Sequence, residues 1–125
     1  MPVDDTAHVD AIGVDRRTGE VVLTVFDAWD WTNEREHLYA LQSKLNTYFD
    51  FIQSGQINEA YPASLGRRLA IQVATKYPLS ASGKDLLRRA AIAASQINVT
   101  VRDILLRETD GGLKAESQNS SLSSE

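Results

Sequence analysis

The spacing of apolar and polar residues changes several times along the chain, and each change marks an element. Ala7 to Val14 reads as a short strand whose apolar content is Val9, Ile12 and Val14. Asp15-Arg16-Arg17-Thr18-Gly19 predicts a hairpin loop, where Asp15 bonds nearby backbone and Gly19 supplies the positive φ of a bulged return. Val21 to Phe26 is β-branched and aromatic, the content of a half-buried strand, and strands joined this closely pair antiparallel. Asp27 to Asn33 is a turn rich in capping residues. Thr32 or Asn33 is its N-cap, and Asn33 with Glu36 makes a capping-box pattern. Leu38, Leu41, Leu45, Tyr48, Phe49 and Ile52 then recur at three- and four-residue spacing, a helix with one apolar stripe that runs to about Ser54 and is closed by Gly55.

After a short extended or 3₁₀ piece from Gln56 to Tyr61 and a loop from Pro62 to Gly66, the chain alternates strictly. Leu69, Ile71, Val73 and Thr75 fall on one side; Arg68, Ala70, Gln72, Ala74 and Lys76 fall on the other. That period of two predicts a strand with a buried face and a wet face, stopped by Pro78. Ser80 or Ser82 caps a second helix over Gly83 to Gln96, striped by Leu86, Leu87, Ala90, Ala94 and Ile97. Asn98 ends it, and Val99 to Leu106 is the last strand. The predicted order is β-β-α-β-α-β: an α+β two-layer sandwich in which a four-stranded mixed sheet carries two helices on one face. Residues 1–108 form a single domain, and residues 109–125, rich in Gly, Ser, acids and amides, are expected to be a disordered polar tail.

Composition adds exclusions. The 125 residues contain no cysteine, which removes disulfides, thiolate nucleophiles and thiolate metal sites and fits a reducing compartment. The acidic start, Met1 to Asp10, has no apolar segment of a signal peptide, and no run approaches the roughly 18 apolar residues of a spanning helix, so a cytoplasmic location is expected and no membrane contact. Charge is unevenly placed. Residues 1–66 carry a net of −7, residues 67–107 a net of +6, and the last 18 residues a net of −3, for a total of −4. Such polarity bears on partners and steering rather than on fold; mutual neutralisation of the two halves inside the domain is the plainest account of it.

Several pieces, taken as a set, resemble a known family. They are Asp10-Ala11-Ile12-Gly13-Val14-Asp15, Thr18-Gly19-Glu20-Val21-Val22-Leu23-Thr24, Asp27-Ala28-Trp29-Asp30-Trp31, Glu36-His37-Leu38, Phe51-Ile52-Gln53-Ser54-Gly55-Gln56-Ile57, Tyr61-Pro62, Gly66-Arg67-Arg68-Leu69-Ala70-Ile71 and Lys76-Tyr77-Pro78. The set is similar to a family of small bacterial proteins described only as a domain of unknown function, over roughly residues 5–106. The resemblance implies a small bacterial cytoplasmic domain and carries over no activity, cofactor or site residue.

Candidate chemistry is sparse. His8 and His37 are the only histidines, and neither has a second ligand at helical or strand spacing; a surface or cap-packing role accounts for both. Asp27, Asp30, Glu34 and Glu36 could surround a hard cation, but the spacing matches no calcium loop and capping explains these acids. No nucleophile–base pair, phosphate-cradling glycine run or dinucleotide fingerprint is present, so neither catalysis nor a cofactor is expected. Trp29 and Trp31 are either a lid on the end of the core or an aromatic anchor for a partner, the lid being the simpler account. Arg68, Gln72 and Lys76 on the third strand, with Thr100 and Arg102 on the fourth, make a basic outer patch if those strands are neighbours. An ordinary solvated sheet face accounts for that patch as well. The function that follows is a non-enzymatic protein-interaction or regulatory module, binding another protein or itself. The alternative is a ligand- or nucleic-acid-binding module that uses Arg68, Lys76 and Arg102, against which stand the acidic total and the lack of stacking aromatics beside these residues.

Overall fold

The computed structural model describes residues 9–109 and 112–116, with side-chain environments over residues 9–106. The elements are β1 (Ala11–Val14), β2 (Val21–Asp27), α1 (Glu34–Gln53), α2 (Gln56–Ala60), a 3₁₀ turn over Pro62–Ser64, β3 (Leu69–Thr75), α3 (Ala81–Ser95), β4 (Val99–Thr109) and β5 (Gly112–Glu116). The strands lie side by side in sequence order. β1 runs antiparallel to β2, β2 and β3 are parallel, β3 and β4 are parallel, and β5 returns antiparallel along β4. The α+β architecture and the mixed sheet of β1 to β4 agree with the sequence pattern.

Two parts of the pattern are corrected. The segment expected to be extended or 3₁₀ after Gly55 is a short helix, α2, that drops Ile57 into the core at 2 % exposure. Gly55 supplies the turn into it at φ +83°. The residues read as a disordered tail include the end of β4 at Thr109 and the whole of β5. Leu113 and Ala115 alternate in sequence there with Lys114 and Glu116, and Thr109 of β4 pairs with Gly112 of β5. The polar composition of this stretch masks a five-residue alternation. The expected loose start at Met1 to Thr6, the first residues of the expected strand at Ala7 and His8, and residues 117–125 of the expected tail lie outside the described residues.

Each helix begins where its side chains dictate. Asn33 accepts the Glu36 N–H at 3.2 Å while its amide donates to the Glu36 carboxylate at 3.1 Å, and Glu34 and Glu36 sit in the first turn against the positive end of the dipole. Ser80 accepts the Gly83 N–H at 3.0 Å to open α3. Asn98 takes φ +60° after α3 and turns the chain into β4.

Both long helices pack on the same side of the sheet. The core unites Val21, Leu23 and Val25 of β2, Ile71 and Val73 of β3 and Val99 of β4 with Leu41, Leu45 and Tyr48 of α1 and Leu86, Leu87 and Ala94 of α3. Burying one such large side chain stabilises the fold by about 1.5–3 kcal/mol. The buried stripe of α1 is His37, Ala40, Leu41, Lys44, Leu45 and Tyr48, one step round the helix from the predicted stripe; Leu38, Phe49 and Ile52 are half-buried at its margin.

Candidate interaction surface

The turn after β2 turns its polar and aromatic groups inward. Asp27 ends the inward-facing series Val21, Leu23, Val25 and is only 2 % exposed. His37 opens the buried stripe of α1 and is 1 % exposed. The two meet with the ring Nε2 2.5 Å from Asp27 Oδ2, while Nδ1 donates to the Asp30 carbonyl oxygen at 3.0 Å. The second oxygen of Asp27 accepts the Trp29 N–H at 3.1 Å. Trp31 stacks on the His37 ring, centroids 3.7 Å apart and planes 20° from parallel, and Trp29 meets the same ring edge-on at 5.6 Å. Asp30 stays at the surface, where the Thr32 N–H bonded to its carboxylate holds it below the usual aspartate range. Trp29 and Trp31 therefore close over His37 as a lid.

That lid also ties the two crossovers together. A Cβ on Gly83, in the first turn of α3, would lie 2.9 Å from Trp31 Cη2 and 3.0 Å from Cζ2. The indole thus occupies the space that any larger residue at position 83 would need.

The sequence carries both halves of the signal for the Asp27–His37 pair. Period two in β2 puts Asp27 on the inner face, and steps of four, eight and eleven from His37 reach Leu41, Leu45 and Tyr48. What no local pattern conveys is that the turn from Ala28 to Asn33 and the first turn of α1 bring the two together. A second inward polar set is hidden in the same way. Lys44 is fully buried with Nζ 2.7 Å from Asp10 Oδ1, and the other oxygen of Asp10 accepts the Phe26 N–H at 3.0 Å. The Tyr48 hydroxyl donates to the Thr24 carbonyl oxygen at 2.6 Å and accepts the Asp10 N–H at 2.8 Å. Burying groups like these is tolerated only where each finds a partner.

The opposite face of the sheet is where the remaining singled-out residues gather. β3 and β4 are neighbours, with Gln72 paired to Arg102 and Ala70 to Thr100. This face presents Val22, Thr24 and Phe26 from β2, Ala70, Gln72 and Ala74 from β3, and Thr100, Arg102 and Ile104 from β4. Among the described residues no helix packs on it. Phe26 is 38 % exposed and Thr100 is exposed, while Ala70 and Ala74 lie flush beneath longer neighbours rather than on the wet surface that strict alternation suggested. Arg102 leans across the face: its Nε faces Gln72 Oε1 at 3.4 Å and its Nη1 lies 3.2 Å from Glu20 Oε1. Its charge is thus answered within the molecule. Arg68 and Lys76 flank the two ends of β3; Arg68 is exposed, and Lys76 lays its Nζ 5.6 Å from the ring centre of Tyr77. Arg68, Gln72, Lys76 and Arg102 thus share one surface, whereas Trp29 and Trp31 belong to the interior turn. The described residues include no group of three or more metal-ligating side chains, and no described helix is long and apolar enough to cross a membrane.

A family model described as a family of unknown function (DUF6572) matches residues 1–105. No curated protein and no solved structure matches the chain.

Proposed function

The chain belongs to that family of unknown function, so its role has to come from its own geometry, and we propose that it is a non-enzymatic interaction module that binds a protein through the outer face of its sheet. One contrast carries this reading. The groups best suited to chemistry, Asp27, His37 and Lys44, are 2 % exposed or less and held by internal partners, while Phe26, Thr100 and Arg68 lie open on a face that no described helix covers. An enzyme needs reactive groups that substrate can reach. An interaction surface needs a broad patch with an aromatic anchor and a polar rim, which Phe26 and the surrounding Thr24, Gln72, Thr100 and Arg102 supply. Pairing of Arg102 with Glu20 lowers the free positive charge and weighs against the nucleic-acid alternative.

The test uses the full chain immobilised and exposed to lysate and, separately, to an untagged copy of itself, with and without nuclease. The expected result is a retained protein that survives nuclease and is lost when Phe26→Ser replaces the exposed aromatic. The helix-layer variant Tyr39→Ser, at a site 73 % exposed on α1, should leave retention intact. Retention removed by nuclease, or lost equally in the two variants, overturns the reading.

A further inference from the structure

We infer that the open edge of β4 is a strand-accepting site and that its occupant is the chain's own residues 117–122, which prolong β5 along it. This goes beyond the interaction reading above and does not depend on what the outer face binds. β4 is flanked unevenly. β3 pairs with it over residues 99–105, whereas β5 pairs with it only over residues 105–109. Among the described residues, no strand lies beside residues 99–104 on the side away from β3.

Backbone alternation fixes what that edge offers. Val21 donates its N–H to the Arg68 carbonyl oxygen and Lys76 donates to that of Asp27, so the even positions of β3 bond β2 and its odd positions bond β4. With Leu69 level with Val99, the even positions of β4 turn to β3; the Thr75 hydroxyl, 3.3 Å from the Ile104 carbonyl oxygen, agrees. Val99, Val101 and Asp103 therefore aim their backbone N–H and C=O groups outward. The Asp103 N–H bonds the carboxyl of its own residue, the resort of a donor that meets no strand. Burial points the same way. Val101, Asp103 and Leu105 are half-buried, while Ile71, Val73 and Thr75, level with them on β3, are buried. Arg102 leans toward Gln72 and Glu20, away from the edge, and so does not guard it.

The inward carboxyl of Asp103 makes this edge a poor match for an apolar strand and a good one for a strand that brings it a donor. β5 leads to such a strand. Leu105 pairs with Glu116, and each step beyond Glu116 falls opposite the next open position: Gln118 at Asp103, Asn119 at Arg102, Ser120 at Val101 and Leu122 at Val99. Residues paired across strands share a face, so the chemistry matches position by position. Gln118 brings an amide donor to the level of the Asp103 carboxyl. Asn119 brings an acceptor to the level of Arg102. Leu122, the one apolar residue between positions 117 and 125, comes level with Val99, which belongs to the core. Attachment to β5 gives this segment a high effective concentration at the edge, an advantage no separate chain has.

Residue-resolved amide hydrogen exchange on the full chain tests this. In the inferred register Gln118, Ser120 and Leu122 bond β4, whereas Asn119 and Ser121 turn their N–H groups to solvent. Proline lacks the N–H, so it breaks the pairing at position 120 and is tolerated at position 121. The Val101 amide should exchange about tenfold faster in Ser120→Pro than in the parent, and within about twofold of the parent in Ser121→Pro. The Val25 amide, inside the sheet, should keep its rate in both variants, which reads out an intact fold. A Val101 amide equally fast in the parent and in Ser120→Pro, or accelerated alike by both prolines, overturns the inference. Protection of Val101 that grows with protein concentration overturns it too, since a second copy then covers the edge. No partner enters this measurement, so its failure leaves the outer-face reading standing, and loss of that reading leaves this one.

Discussion

Replacing His37 by alanine gives the most direct measure of how the turn after β2 is held. The ring fills a site that is 1 % exposed and is the neighbour of an Asp27 carboxylate that is 2 % exposed. Without it, Asp27 keeps only the Trp29 N–H at 3.1 Å. Removing one partner of a buried pair costs about 3–5 kcal/mol, because the other charge is left without compensation. Loss of the stacked Trp31 contact adds about 0.5–1.5 kcal/mol. The sum, about 3.5–6.5 kcal/mol, is a large share of the 5–15 kcal/mol that typically holds a domain together. Urea unfolding followed by circular dichroism and tryptophan emission reads it directly. With a slope of about 1.5–2 kcal/mol per molar, the midpoint should fall by about 2–4 M. The control is Asp27→Leu combined with His37→Leu, which removes both polar groups and fills the space. It should unfold at a higher urea concentration than His37→Ala, since no carboxylate is stranded. A His37→Ala chain that loses less than about 1 kcal/mol would show that the pair does not hold the turn, as would a double variant whose cost equals the sum of separate Asp27→Leu and His37→Leu costs.

Two further outcomes follow from single contacts. Gly83→Ala places a methyl 2.9 Å from Trp31 Cη2, so it should cost about 1–3 kcal/mol in urea unfolding and shift tryptophan emission, although alanine at an ordinary helix position would stabilise. Asp103 is half-buried on the helix side of β4, and that burial raises its carboxyl above the usual aspartate range despite the pull of Lys84. A carboxyl raised by folding binds protons more readily in the native state, so its contribution falls as pH rises from below its unfolded value of about 3.9 through its folded value. Asp103→Asn should therefore be at least as stable as the parent at neutral pH, with the difference shrinking as pH drops below about 4; a variant less stable than the parent by the same margin at both pH values would contradict this.

Much of the layout was legible because it depends on local spacing. Alternation in Leu69 to Thr75 and the β-branched run in Val21 to Phe26 specified the central strands, and the helical crossovers made parallel pairing available, whereas which strands lie side by side is set by tertiary packing that local spacing does not carry. Asn33, Gly55, Ser80 and Asn98 marked the ends of helices through chemistry contained within four residues. The polar interior was not legible on those terms. Lys44 lies on the inner stripe of α1, but a lysine there reads as a break in the stripe until Asp10, thirty-four residues earlier, is known to meet it. The outer face was half legible: spacing put Arg68, Gln72, Lys76 and Arg102 on one side, whereas the Arg102–Glu20 pair joins residues eighty-two apart. Trp29 and Trp31 carried two readings because an indole serves equally as a lid or an anchor; both rings meet His37, a contact that no local spacing announces.

The order β1-β2-β3-β4-β5 has a consequence for how the molecule is born. As the chain leaves the ribosome, every strand finds its hydrogen-bonding neighbour already made, and no slot has to be held open for a segment still to come. β1 and β2 can close as a hairpin first, each helix then folds back while the next strand is being synthesised, and the sheet widens from one edge only. Only the two hairpin pairings are local: Val21 of β2 meets Leu69 of β3 and Leu69 meets Val99 of β4 across whole crossovers, so closing these longer loops sets the pace of folding. Trp31 makes that progress conditional: it waits at the mouth of the first crossover until Gly83 arrives with the second, so the lid over His37 is completed only after the third strand is in place.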